Sequence, residues 1–128
     1  MIVADDKVGL LADISYILAK SKVNIDSIAV DVLSGKAVIN MSVSDPKKGT
    51  EVLVAAGYTV EPNRVVIKIK EDELEGLTEK LKKGGVKLEE SKVVTGDAGI
   101  IIVSLIVDKV KRARTILEEK LLVHDSQY

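Results

Sequence analysis

The run Asp5-Asp6-Lys7-Val8-Gly9-Leu10-Leu11 concentrates most of the usable chemistry of this chain. Asp6 can accept hydrogen bonds from an ammonium group, and the free N–H groups of Val8 to Leu11, at the start of an apolar helical pattern, suit a carboxylate. Gly9 adopts backbone angles closed to other residues and lets a ligand approach the main chain. Asn24, fifteen residues beyond Gly9 and followed by Ile25, offers both a donor and an acceptor. A carboxylate receptor, an ammonium receptor and a bifunctional amide are the parts of an α-amino acid site. Each also has a plainer use: Gly9 as a tight turn, Asp6 as a helix cap, Asn24 as the end of a helix-to-strand turn, and Lys7 as a solvated cation.

Composition removes most competing chemistries. The chain has 128 residues, 46% hydrophobic and 30% charged, the profile of a folded domain or two small ones. With no cysteine, disulfides, thiolate metal sites and thiol nucleophiles are excluded. One histidine, His124, leaves little room for histidine-based metal or triad chemistry. A net charge of -1 gives no field to draw nucleic acid or an anionic membrane. Tyr16, Tyr58 and Tyr128 are the only aromatics, too few for a base-stacking platform. Lys109, Lys111, Arg112 and Arg114 stand close to Glu118 and Glu119 and read as a solvated face rather than a nucleic-acid contact. Catalytic residues, cofactor and metal ligands are not expected. No apolar run is long enough for a membrane span and the N-terminus lacks signal-peptide character, so a cytoplasmic protein is expected.

The elements that must position the loop follow from periodicity. Ile2-Val3-Ala4 is a short strand, expected to be frayed or to continue a natural start lying upstream. Leu10, Leu11, Ile14, Ile17 and Leu18 recur at helical spacing over Val8 to Ser21. Asn24 to Val32 and Ala37 to Val43 alternate as a hairpin about Ser34-Gly35. A second helix is expected around Thr50 to Ala56, stopped by Gly57, with Tyr58-Thr59-Val60 as a last strand. The second half repeats the layout: an offset of 63 residues, applied without a gap, pairs Val3 with Val66, Leu11 with Leu74, Val23 with Val86 and Val60 with Val123. The expected fold class is α+β: two ferredoxin-like βαββαβ repeats, antiparallel sheets with helices on one face, over residues 1–61 and 62–128.

The same offset gives the two sheets different outer faces. Val38, Asn40 and Ser42 face away from the first repeat's helices, and their equivalents are Ile101, Val103 and Leu105, followed by Val107. A strand apolar on both faces needs cover on both, so this stripe predicts a homodimer or larger homo-oligomer, or cover by the other half of the chain. In the second repeat the ligand loop is lost: Gly9 corresponds to Asp72, Asp6 to Ile69 and Asn24 to Lys87, and Glu71-Asp72-Glu73 repels a carboxylate.

Asp6-Lys7-Val8-Gly9 between a first strand and first helix, with Val23-Asn24-Ile25 opening the next strand, resembles the ACT domain, the small regulatory module that binds amino acids in metabolic enzymes. Val8 stands where the family usually has proline. The resemblance covers residues 1 to about 61 in fold and motif, and the remainder in fold alone. It implies a non-catalytic regulatory protein that binds a small amino acid at ACT-domain interfaces through Asp6, Lys7, Val8, Gly9, Leu10, Leu11, Asn24 and Ile25. It also implies allosteric modulation of amino-acid metabolism, with a metabolic enzyme as partner. The alternative is a ligand-free structural or regulatory subunit of an amino-acid-biosynthetic enzyme. A third use of the fold, acylphosphatase-like hydrolysis, needs an arginine in a phosphate-cradling loop. Here the loop carries Asp5 and Asp6, and the only arginines are Arg64, Arg112 and Arg114.

Overall fold

The computed structural model describes residues 1–122 and the strand His124–Asp125; Val123 and Tyr128, invoked above, lie outside the described residues. The chain divides into two units, each with its own sheet and core.

In the first unit, β1 (Ile2–Asp5), α1 (Leu10–Lys20), β2 (Ile25–Leu33), β3 (Lys36–Val43) and α2 (Pro46–Ala55) follow in order. The sheet order is β1-β3-β2-β7, where β7 (His124–Asp125) pairs antiparallel with Ile28 and Ala29. His124 is thus part of a sheet edge and not a free tail. The expected fourth strand is a single bridge, Val60 to Ile2 on the outer side of β1. β1 is short, as its apolar run dictates, but it is not frayed: all four residues pair with β3, and Ile2 is buried. α2 begins four residues before the expected start because the Asp45 side chain accepts from the Lys48 amide at 3.2 Å and Pro46 opens the first turn. Leu10, Ile14 and Leu18 of α1, one helical stripe, bury against Ile28, Ala37 and Ile39 of the sheet and Leu53 of α2. Burying each such side chain stabilises by about 1.5–3 kcal/mol.

The second unit repeats the plan with β4 (Val65–Lys70), α3 (Leu77–Lys83), β5 (Leu88–Asp97), β6 (Ile100–Val107) and α4 (Val110–Ile116), in sheet order β4-β6-β5. Leu121 bridges Ile67 as Val60 bridges Ile2. The repeat is real, but its offset is not constant. The turn after the first helix keeps 63, with Val23 and Val86 each donating to the leucine five residues back (Leu18, Leu81) at 2.9 Å. The hairpin tips differ by 64: Ser34-Gly35 and Ala98-Gly99 are both left-handed pairs. The first strands differ by 65: Asp6 and Glu71 donate to Gly35 and Gly99, at 2.9 and 2.8 Å.

This overturns the expectation about the outer face. β2 and β5 share one irregularity (Ile25/Ser27, Leu88/Glu90), but β5 has a second between Val93 and Thr95. One inserted residue flips every later side chain to the opposite face. Ile101, Val103, Leu105 and Val107 therefore face the unit's own helices, in one core with Leu77, Leu81, Ala113 and Leu117. That stripe is ordinary core and gives no ground for a homo-oligomer. The outer face of β6 carries Ile102 and Ser104, both buried, and the Ser104 hydroxyl has no hydrogen-bond partner among the described residues.

The basic cluster is more than a solvated face. Lys109 Nζ donates to Gly85 O at 2.9 Å and Arg112 Nε to Gly84 O at 3.0 Å. Both cations cap the carbonyl end of α3, where the helix dipole favours positive charge.

Candidate functional site

Two local facts shape the loop between β1 and α1. Asp6 N–H donates to Gly35 O at 2.9 Å, pinning the loop to the β2–β3 hairpin tip. Gly9, with φ 84° and ψ 4°, then turns the chain into α1 in the left-handed region. No side chain caps the helix, so Asp6 is not an N-cap. The first full helical bond is Asp13 N–H to Gly9 O at 2.9 Å, and the Leu10 amide makes a long 3.3 Å bond to Lys7 O. Among the described residues the amides of Leu11 and Ala12 have no acceptor, which leaves the positive end of an eleven-residue helix open.

These groups border a cleft of ≈ 320 Å³. Asp6, Lys7 and Gly9 form its polar rim. Its walls are Leu10, Leu11, Val30 and Val32, over Ala37 and Ile39. Val32 is 44% exposed, because the hairpin runs on past the first turn of α1. Val8 points away into solvent and is not part of the lining. Beside the cleft, Asp5 pairs with Lys36, its neighbour across the β1–β3 ladder, at 2.5 Å. That hydrogen bond and the lysine's charge hold the Asp5 carboxyl below its usual pKa. The Asp6 carboxylate, next in the chain, has no partner among the described residues.

Asn24 and Ile25 are not at this cleft. β1 and β2 both run antiparallel to β3 and hence parallel to each other. The loop leaves the end of β1, whereas Asn24 precedes the start of β2, and α1 separates them by roughly 16 Å at its usual rise. Asn24 accepts from the Ser44 amide at 2.9 Å, and its own amide donates to Ser44 Oγ at 2.9 Å. Its side-chain amide is exposed and makes no bond to a described residue. Of the eight expected site residues, the structure gathers Asp6, Lys7, Gly9, Leu10 and Leu11.

The wall residues Val30, Val32, Ala37 and Ile39 were not expected in the site. Their alternation in the hairpin was visible, but nothing in it reports how far the helix extends over them.

The second unit replaces this loop by a turn of 3-10 helix, Glu71–Glu73, and α3 starts only at Leu77. The groove there sets three carboxylates, Glu71, Asp72 and Glu75, against one cation, Lys70, and disfavours a carboxylate ligand. Among the described residues, no cluster of carboxylates or histidine could hold a metal ion, and no helix is long and apolar enough to cross a membrane.

No protein-family model matches the chain, and no curated protein matches it. Solved structures do. A crystal structure of a Bacteroides thetaiotaomicron protein aligns over 98% of this chain and 90% of its own, at 21% identity and a TM-score of 0.51. An unknown protein from Galdieria sulphuraria aligns over 97% and 92%, at 21% identity and 0.46. The ligand-free regulatory subunit of aspartate kinase from Thermus thermophilus aligns over 92% and 87%, at 16% identity and 0.45. The first likeness is one of fold and extends over both units. The architecture is a tandem of ferredoxin-like repeats, α+β, with the helices of each unit on one face of an antiparallel sheet.

Proposed function

We propose that this protein is a non-catalytic regulatory module that binds a small amino acid at the first unit's loop and modulates an enzyme of amino-acid metabolism. The observation that carries the reading is the cleft itself. Among the described residues the amides of Leu11 and Ala12 have no acceptor and the Asp6 carboxylate has no donor, which suits the first to a carboxylate and the second to an ammonium. The left-handed Gly9 lets a ligand reach the backbone. The resemblance of Asp6-Lys7-Val8-Gly9 to the ACT ligand loop supports the same assignment. Asn24 and Ile25 lie outside this cleft and would join it only where another copy brings its β2 start there, which is the homo-oligomeric form of the proposal.

Calorimetric titration with the twenty amino acids tests this. Binding is expected for at least one of them. Asp6→Asn should weaken it by about 1–3 kcal/mol, the worth of a hydrogen bond to a charged group. Lys87→Ala, the second-unit equivalent of Asn24, should leave affinity unchanged. If the site is shared between copies, Asn24→Ala weakens binding only where the protein associates. No binding at millimolar concentration leaves the ligand-free subunit reading in its place.

A further inference from the structure

The second unit has a cleft that the first unit has filled. Matching helices at the 63-residue offset fixed by Val23 and Val86 places Glu73, Gly76, Leu77 and Lys80 on Leu10, Asp13, Ile14 and Ile17. In the first unit, Leu10 belongs to the core, Ile17 packs against it, and Tyr58 lies over it with its hydroxyl on Asp13 at 2.5 Å. In the second unit every one of those fillers is gone. Leu10 is replaced by a glutamate, Asp13 by a glycine and Ile17 by a lysine. Tyr58, two residues before the bridging Val60, gives way to the exposed Glu119, two before the bridging Leu121. What remains is a cleft of ≈ 260 Å³ with Ile69, Leu77 and Leu117 as its floor and Lys80 and Lys120 at its mouth.

We propose that this cleft binds a short aliphatic monocarboxylate, tail on the Ile69-Leu77-Leu117 floor and carboxylate at Lys80 and Lys120. The charges at the mouth select the head group. Glu73, also in the lining, accepts from the Lys70 amide at 3.1 Å and pairs with Lys120 Nζ at 2.7 Å, so its negative charge is already balanced within the cleft. Lys80 Nζ has no partner among the described residues and is the cation left to meet an anion. Glu119 is near enough to Lys120 to favour its charged form, leaving Lys80 as the principal contact. The size of the cleft limits the tail to a few carbons. This site is independent of the amino-acid cleft in the first unit.

The test is a methyl-NMR titration of the whole protein with acetate, butyrate, isocaproate and laurate, and with isocaproamide as the neutral control. Shifts are expected at the methyls of Ile69, Leu77 and Leu117. Affinity should rise about fourfold per methylene up to isocaproate and fall at laurate. The amide should bind about two- to fivefold more weakly than its acid, and Lys80→Gln should abolish that difference. Gly76→Phe should block binding while folding normally, because Gly76 has ordinary helical angles and a Cβ there meets only Glu73 O at 4.0 Å. Absence of methyl shifts, equal binding of acid and amide, or leucine binding more tightly than isocaproate would each overturn the proposal. Tightest binding by laurate would overturn the small free acid in favour of a lipid chain.

Discussion

Alanine at two glycines should move stability in opposite directions, and the backbone alone says which. Gly9 sits at φ 84°, a conformation that costs an L-residue about 1–2 kcal/mol. Removing a glycine also restricts the unfolded chain and returns about 0.4–1 kcal/mol. Open space surrounds a Cβ built at Gly9, so no packing is gained and none is lost. The net for Gly9→Ala is a loss of about 1 kcal/mol. Gly76 has φ -80° and ψ -5°, so Gly76→Ala keeps the unfolded-state gain without strain, and about 0.4–1 kcal/mol is added. Urea denaturation at constant slope should show the Gly9→Ala midpoint falling by about 0.3–1 M and the Gly76→Ala midpoint rising. A rise for Gly9→Ala, or the same sign at both positions, would refute the left-handed turn into α1 and the helix-end geometry on which the cleft depends.

The buried Ser104 hydroxyl has no partner among the described residues, so Ser104→Ala should raise stability by about 1 kcal/mol by relieving its desolvation, seen as a higher melting temperature; a loss of that size would mean the hydroxyl is satisfied. Hydrogen bonding to Asp13 pushes the Tyr58 phenol up to about 12, from an ordinary 10.0. The folded pKa is the higher one, so its stabilisation is complete below pH 10 and fades as pH rises through about 12. Absorbance titration should show one late phenol that Tyr58→Phe removes, and the variant should lose less stability than wild type across that window. Ala98 is left-handed at φ 51°, at the tip where a primed turn favours asparagine. Ala98→Asn should stabilise the β5–β6 hairpin by about 0.5–1 kcal/mol in the same denaturation assay; no gain would argue against that turn.

Much of the fold was legible because local chemistry and pattern agree. Leu10, Ile14 and Leu18 announce α1, Ser34-Gly35 announces the hairpin, and Gly57 with φ 98° ends α2. The second unit's register was not legible. Lys92-Val93-Val94-Thr95 gives no turn residue to mark the insertion, since any strand-forming residue can be the extra one. Ile100 to Val107 is apolar on both faces but for Ser104, so alternation does not report which face meets the helices. Shortening around Glu71–Glu73 was equally silent, because helical spacing at Leu74, Leu77 and Leu81 continues through it. In the candidate site, Asp6, Lys7, Gly9, Leu10 and Leu11 were singled out by their chemistry, and they border one cleft. Asn24 was grouped with them by residue type, although a helix of eleven residues between two parallel strands sets it at the far end.

We propose above that the open end of α1 receives a ligand carboxylate. An amide-resolved titration of the wild-type protein, adding amino acids one at a time, tests this most directly. At least one amino acid should shift the Leu11 and Ala12 amides to saturation, with Gly9 and Asp6 following, and leave Lys87 and Leu88 unmoved. Saturable binding that shifts Lys87 and Leu88 but not Leu11 and Ala12, or no response to any amino acid at millimolar concentration, would contradict it.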